Sequence, residues 1–316
     1  MIDKMKISDF CEKYSLEDNI FIQGIGFDQR CLSILRAIDF SKSELLIGVV
    51  NLKGKHYSKK NSDLFKDITK DKGVLVGESN KSILSILDET FEIVIDKYHK
   101  NNEIKIFIDI SSLSREMLLS MLTFLSNLDL LNNIYFLNVI SKSYGGWLSR
   151  GVVEIRSIIG FSGFILPSKK MHLIVFAGFE ADRIKHIIDA CEPHKISIGV
   201  GGRNQSISES FSVVNSENVE KIYRDLIEIN TEVDFFDFSC FDPLEMVSQL
   251  DKIYQNVDTL NYNIVMAPLN TKLSTIGVGL FSLKHENIQI CYAEAEEYNY
   301  NAYSDATDEM FVFNVK

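Results

Sequence analysis

Asn263-Ile-Val-Met-Ala-Pro-Leu-Asn-Thr-Lys-Leu-Ser-Thr-Ile-Gly277 is a short apolar run, a break, and a second apolar run. Ile264 to Ala267 reads as a buried strand that Pro268 interrupts. Asn270-Thr-Lys272 makes a polar turn, and the spacing beyond it predicts a helix from about Leu273 to Lys284. Strand, polar turn and helix place hydroxyls, backbone N–H groups and one cation at a helix N-terminus, where an anion can be held.

The same order occurs earlier. Ile104 to Ile110 predicts a strand, Ser111-Ser-Leu-Ser-Arg115 a turn, and the following residues an apolar helix to about Leu128. Around it, a leading helix is expected over 6–18, then a strand from Asn19 ending at a glycine turn, Gly24-Ile-Gly-Phe-Asp-Gln-Arg30. A short helix follows over Cys31 to Ile38, and a buried strand over Glu44 to Val50. Lys53 to Lys60 reads as a basic, exposed loop. Gly73 to Gly77 is a third strand, and a helix is expected from about Asn80 to Lys100. Asn133 to Ile140 is a further strand, and Val152 to Ile158 reads as an edge strand of this half.

Pro167 and the flanking Ser and Lys residues mark an inter-domain link, after which the pattern restarts. His172 to Arg183 repeats the first strand and its glycine turn, Lys195 to Val200 the second strand, and Val233 to Phe238 the third. Pro243 to Tyr254 matches the helix and Asn263 to Ala267 the fourth strand. Asn287 to Ala293 repeats Asn133 to Ile140, and Met310 to Val315 echoes Val152 to Ile158. Independent landmarks recurring at offsets of roughly 150–160 residues imply an internal duplication. The expected fold is α/β: two tandem Rossmann-like parallel-sheet domains, residues 1–167 and 168–316, each long enough for its own core. Such sheets bind ligands outside the carboxyl ends of their strands. If the halves face each other, their polar turns would line one cleft.

Thr271 and Ser274 can donate hydrogen bonds and Lys272 can supply charge, with Asn270 completing the turn. Simple helix capping accounts for one hydroxyl, but not for a cation at the positive end of a helix dipole. In the first copy Ser111, Ser112 and Ser114 supply the hydroxyls, and Arg115 is suited to bidentate phosphate contact or to an ordinary ion pair. Asp109 could orient a ribose hydroxyl or simply accept nearby N–H groups. Gly26-Phe27-Asp28 followed by Arg30, and Gly178-Phe179-Glu180 followed by Arg183, are the second recurring turn. A ligand loop is one reading; acid–arginine pairs that stiffen the turn are the other. The full GxGxxG fingerprint of a redox dinucleotide site is missing, so no cofactor is expected. Near the end Tyr298 could stack on a base and Asn299 could read one, or both could belong to a solvated polar loop.

With 46% hydrophobic and 24% charged residues the composition is that of a soluble globular chain. A net charge of −11 argues against a broad surface for nucleic acid. Five scattered cysteines and six scattered histidines give no metal-ligand spacing, so no metal is expected. The absence of a signal core or a long apolar run predicts a cytoplasmic protein with no membrane association. Neither a Walker loop nor a hydrolase elbow occurs.

Pro268-Leu-Asn-Thr-Lys-Leu-Ser274, set in a doubled α/β pattern, resembles the CARF (CRISPR-associated Rossmann fold) group and its tandem relative, the SAVED domain of bacterial anti-phage systems. Thr271 and Lys272 match the strand-following Gly-Thr-Lys-x-x-Ser turn of that group, with Asn270 in place of its glycine and Ser274 one residue short of its serine, where Thr275 stands. The resemblance implies a sensor of a nucleotide or cyclic-oligonucleotide second messenger, working with a separately encoded effector because two Rossmann-like halves use nearly all 316 residues. A homo-oligomer is left open. The alternatives are a nucleotide-processing enzyme using the same turns, of the ring-nuclease or N-glycosidase kind, and a scaffold that binds protein.

Overall fold

Strands with apolar side chains on both faces must be covered on both faces, and here they form the middle of two sheets. The computed structural model describes residues 2–79, 81–227 and 231–316. The first sheet is centred on β2 (Asn19–Ile25), buried along its whole length. It is flanked by β3 (Leu45–Val50) and then β4 (Gly73–Val76) on one side, and by β5 (Lys105–Asp109) and then β6 (Ile134–Tyr144) on the other. These five strands run parallel, with Ile22 of β2 opposite both Ile47 and Ile108.

The second sheet repeats this order. Its β8 (Lys170–Phe176) lies between β9 (Lys195–Val200) and β11 (Tyr262–Pro268), with β10 (Glu232–Asp237) beyond β9 and β12 (Ile288–Tyr298) beyond β11. Counting only the five parallel strands, from β2 and from β8, both sheets read 3-2-1-4-5, the doubly wound order, with the topological switch point between the first and fourth of them. The expected pair of Rossmann-like domains related by duplication is therefore the observed fold.

The sixth strand of each sheet departs from the sequence reading. β7 (Ser149–Ser162), expected at an edge of the first half, pairs antiparallel with β12 in the second sheet. β13 (Ser304–Asn314), expected in the second half, pairs antiparallel with β6 in the first sheet, and β1 (Ile2–Lys6) adds outside it. The compact units are accordingly Met1–Gly145 with Tyr300–Lys316, and Gly146–Asn299, in place of 1–167 and 168–316. Equivalent strands have changed places between the duplicated units. Each follows its predecessor through a short connection, so local sequence pattern is the same whichever sheet receives it.

Helices cover the sheets. In the first unit α2 (Ser33–Ala37), α3 (Lys55–Thr69), α4 (Ile83–Tyr98) and α5 (Arg115–Asn127) follow α1 (Phe10–Lys13). In the second they are α6 (Ala181–Cys191), α7 (Glu209–Ile227), α8 (Pro243–Tyr254) and α9 (Lys272–Ser282). The start of α3 falls on Lys53 to Lys60, where a loop was expected. The expected start of α4, Asn80, lies outside the described residues, and the leading helix over 6–18 is replaced by β1, a single 3-10 turn and α1. Every residue of α9 from Leu273 to Ser282 is buried, as the all-round apolar sequence requires. Each unit has its own core, one around Phe21, Leu46, Phe107 and Val312, the other around Val175, Ile198, Val265 and Ala293.

Candidate functional site

Both switch points carry the turns that the sequence singles out. In the second unit Thr271 is the N-cap of α9, its hydroxyl accepting from Ser274 N–H at 3.0 Å. The same hydroxyl donates to the Cys240 carbonyl. Ser274 is fully buried and donates to the Thr271 carbonyl at 3.0 Å. Asn270 accepts from Thr271 N–H at 2.8 Å and donates to the Ala177 carbonyl at 2.5 Å, tying this turn to the end of β8. Lys272, half-buried, is the first residue of α9.

The first unit has the same construction. Ser114 caps α5, accepting from Met117 N–H at 3.1 Å, and Arg115 takes the place of Lys272 as the first helical residue. Two capped helices at two switch points thus begin with a cation, where the dipole disfavours it by about 0.3–1 kcal/mol. Ser111 is buried and accepts from Val139 N–H at 2.8 Å, while Ser112 is buried and receives Asn51 Nδ2–H on its carbonyl. Asp109 is fully buried, accepting from Gln23 at 3.0 Å and from Ser111 N–H at 2.8 Å. Burial pushes its carboxyl above the ordinary range against the pull of those bonds. The carboxyl thus accepts nearby N–H groups, the second of its two readings.

The Gly-Phe-acid turns resolve in favour of internal pairing. Arg30 donates to Asp28 through Nη2 at 2.6 Å and Nε at 3.1 Å, and to the Val139 carbonyl of β6 at 3.3 Å. Ser304, at the start of β13, donates to Asp28 at 2.8 Å. In the second unit Arg183 donates to Glu180 at 2.9 Å and to the Ala293 carbonyl of β12, and Ser149, at the start of β7, donates to Glu180. All four charged residues are buried. Burial is the largest influence and opposes the charge on each guanidinium, but the adjacent carboxylate together with two nearby tyrosines outweighs it and holds both arginines above their ordinary pKa. Of the two readings of these turns, the acid–arginine pairing is the one the structure displays: each group takes part in a bracket that joins three elements.

Gly26 and Gly178 have a packing reason as well. Neither is at positive φ. A Cβ on Gly178 would sit 2.0 Å from the Leu269 carbonyl oxygen, and one on Gly26 would sit 2.8 Å from that of Ser112. Both glycines let the turns on either side of the switch point touch. Gly178→Ala is expected to cost about 2–3 kcal/mol by overpacking, read as a lower urea midpoint; an unchanged midpoint would refute the tight approach.

Tyr298 is half-buried, with its hydroxyl 3.5 Å from that of Tyr292, and burial raises its pKa. Asn299 donates its backbone N–H to Leu148 and its side chain to Trp147, both carbonyls, at 3.0 Å. These two sit where the end of β12 pairs with the start of β7.

Some residues that shape the turns went unnoticed in the sequence. Asn51, just past β3, also accepts from Ser114 N–H at 3.0 Å. Asn61 of α3 donates to the Gly26 carbonyl at 2.7 Å. Asn215 and Asn218 of α7 donate to the carbonyls of Ala177 and Phe179 at 2.7 and 3.3 Å. An asparagine on the helix after the second strand, reaching the first turn, recurs in both units and was the available signal.

Phe27 and Phe179 head two aromatic clusters. Phe27 meets Tyr300 edge-on at 4.7 Å and Tyr303 at 5.2 Å, and Tyr300 stacks on Tyr57 at 3.6 Å with an 8° interplanar angle. Phe179 meets Phe211 at 5.6 Å and 68°. Among the described residues no cluster of three metal-ligating side chains is found, and no helix is long and apolar enough to cross a membrane.

No protein-family model and no curated protein matches the chain. Among solved structures it is similar to a type III CRISPR defence DNA nuclease activated by cyclic oligoadenylate, at 7% identity and a TM-score of 0.30, over 86% of this chain and 33% of that one. The chain thus spans about a third of that nuclease. It is also similar to a ketoreductase domain from the bacillaene assembly line, at 13% identity and a TM-score of 0.23, over 90% and 70% of the two chains. At these scores neither likeness carries a functional argument.

Proposed function

We propose that the chain binds a nucleotide-type anion at the carboxyl edges of its sheets and serves as the sensing subunit of a defence or regulatory system, acting on a separately encoded effector. One observation carries the reading: at each switch point a hydroxyl-capped helix opens on a cation, Ser114–Arg115 in the first unit and Thr271–Lys272 in the second. Capping alone needs no charge there, and the dipole opposes it. An anion on the helix end reverses the sign of that interaction. The likeness of Asn270-Thr271-Lys272, followed by the hydroxyls of Ser274 and Thr275, to the turn of second-messenger sensors supports a nucleotide as the anion. In the second unit the groups offered to an anion are Asn270 and Lys272 with the N–H groups of their turn, and in the first unit Arg115 with those of its own turn.

Titration calorimetry against ATP, GTP and a cyclic oligoadenylate tests this. Lys272→Ala and Arg115→Ala are each expected to weaken binding by roughly 10- to 100-fold, the range for losing a charge-assisted hydrogen bond. Unchanged binding in both variants would remove the corners from the site. Product analysis of the same incubations decides between retention, which supports a sensor, and turnover, which supports a nucleotide-processing enzyme.

A further inference from the structure

Residues 53–60, Lys-Gly-Lys-His-Tyr-Ser-Lys-Lys, hold four lysines and no carboxylate, in a chain whose net charge is −11. They follow β3 at the carboxyl edge of the first sheet, next to the switch-point strands, and they open α3. Tyr57 lies within this segment. Its residue surface is 52% exposed although Tyr300 stacks flat against it and the His56 ring meets it at 5.5 Å and 80°. An exposed aromatic ring is usually free to change rotamer. This one is backed by a layered set: Tyr300 is held edge-on by Phe27, Phe27 by Tyr303, and the backbone at Gly54, in the left-handed region at φ +69°, leaves no more than 3.0 Å between an added Cβ and the Tyr300 ring. Lys60 follows Tyr57 by one helical turn and so shares its face, with Lys59 and His56 exposed beside it.

We propose that Tyr57, backed by Tyr300, is a stacking platform for the nucleobase of a phosphate-bearing nucleotide, and that Lys59 and Lys60 meet its phosphate. This rests on the nucleotide reading above and adds the base-recognition element that the anion corners lack. Base-on-aromatic stacking beside a cationic track is the general means of holding nucleotides without reading base edges. The equivalent pair in the second unit, Phe179 and Phe211, meets edge-on with Phe211 half-buried, and offers no comparable open face. The platform is therefore a property of the first unit alone.

Calorimetry with ATP, a cyclic oligoadenylate and ribose 5-phosphate tests it in wild type, Tyr57→Leu, Tyr57→Phe, Lys60→Ala and Lys272→Ala, with thermal melts confirming the fold. Tyr57→Leu is expected to weaken the base-bearing probes roughly tenfold or more, Tyr57→Phe to keep them, and neither to change ribose 5-phosphate. Lys60→Ala is expected to weaken all three. If Tyr57→Leu binds as wild type while Lys272→Ala does not, the platform is refuted and the nucleotide reading stands. If Tyr57→Leu fails and Lys272→Ala binds normally, the platform stands and the corner assignment falls. Loss of binding to all probes in wild type, or Tyr57-dependent binding of long single-stranded RNA only, overturns the proposal.

Discussion

Replacing Arg183 with Met is expected to destabilise the second unit by about 3–5 kcal/mol, because Glu180 would remain buried with its charge uncompensated. Part of that energy is the cost of the orphaned carboxylate and not the net worth of the pair. The double variant Glu180→Gln, Arg183→Met should therefore recover much of the loss, since removing both charges leaves a neutral side chain that Ser149 can still bond. Equilibrium urea unfolding of both variants gives the comparison. Arg30→Met should behave likewise through Asp28, with Ser304 in the role of Ser149. A stable Arg183→Met protein that had lost nucleotide binding would reverse the conclusion and return Arg183 to the ligand.

A chain ending at Asn299 is expected to lose the first unit while keeping the second. Such a chain lacks β13, which lies between β1 and β6 and buries Met310, Phe311, Val312 and Phe313. At about 1.5–3 kcal/mol for each buried large side chain, the lost burial alone is comparable with the whole net stability of a domain, about 5–15 kcal/mol. Hydrogen exchange reads the outcome by segment. Amides of β2, β3 and β5 should lose protection, and those of β8, β9 and β11 should keep it. Protected amides in β2 of the shortened chain would show that β13 is dispensable.

The strands were legible where the fold buries them on both faces, since near-continuous apolar runs such as Leu45–Val50 and Ile264–Ala267 have few other uses. The N-terminal strand, Ile-Asp-Lys-Met-Lys, carries three charges in five residues and lies at a sheet edge, so its pattern has too little apolar signal. The helix α3 was hidden for a similar reason: its start is lysine-rich and packs little apolar surface. The exchange of β7 and β13 is beyond any local pattern, because alternation states which face a strand buries and says nothing about which neighbour it pairs with.

The site was harder to read. Gly-Phe-acid followed by Arg recurs in both units, and recurrence suggested a ligand. A duplication preserves what each copy needs to fold as faithfully as what it needs to bind, and the bracket is needed twice. The partners that disclose its purpose, Ser149 and Ser304, lie 31 and 276 residues from the acids they bond. The capped cations Arg115 and Lys272 were legible because their position works against the helix that carries them. The Tyr57–Tyr300 stack joins residues 243 apart, and no sequence rule pairs them.

Because β13 is made after every part of Gly146–Asn299, the two units cannot mature in the order of their numbering. On the ribosome the second unit has all its strands before the first has its own, so the earlier-made β1 to β6 must wait, with the edge of β6 unoccupied, until the final strand emerges.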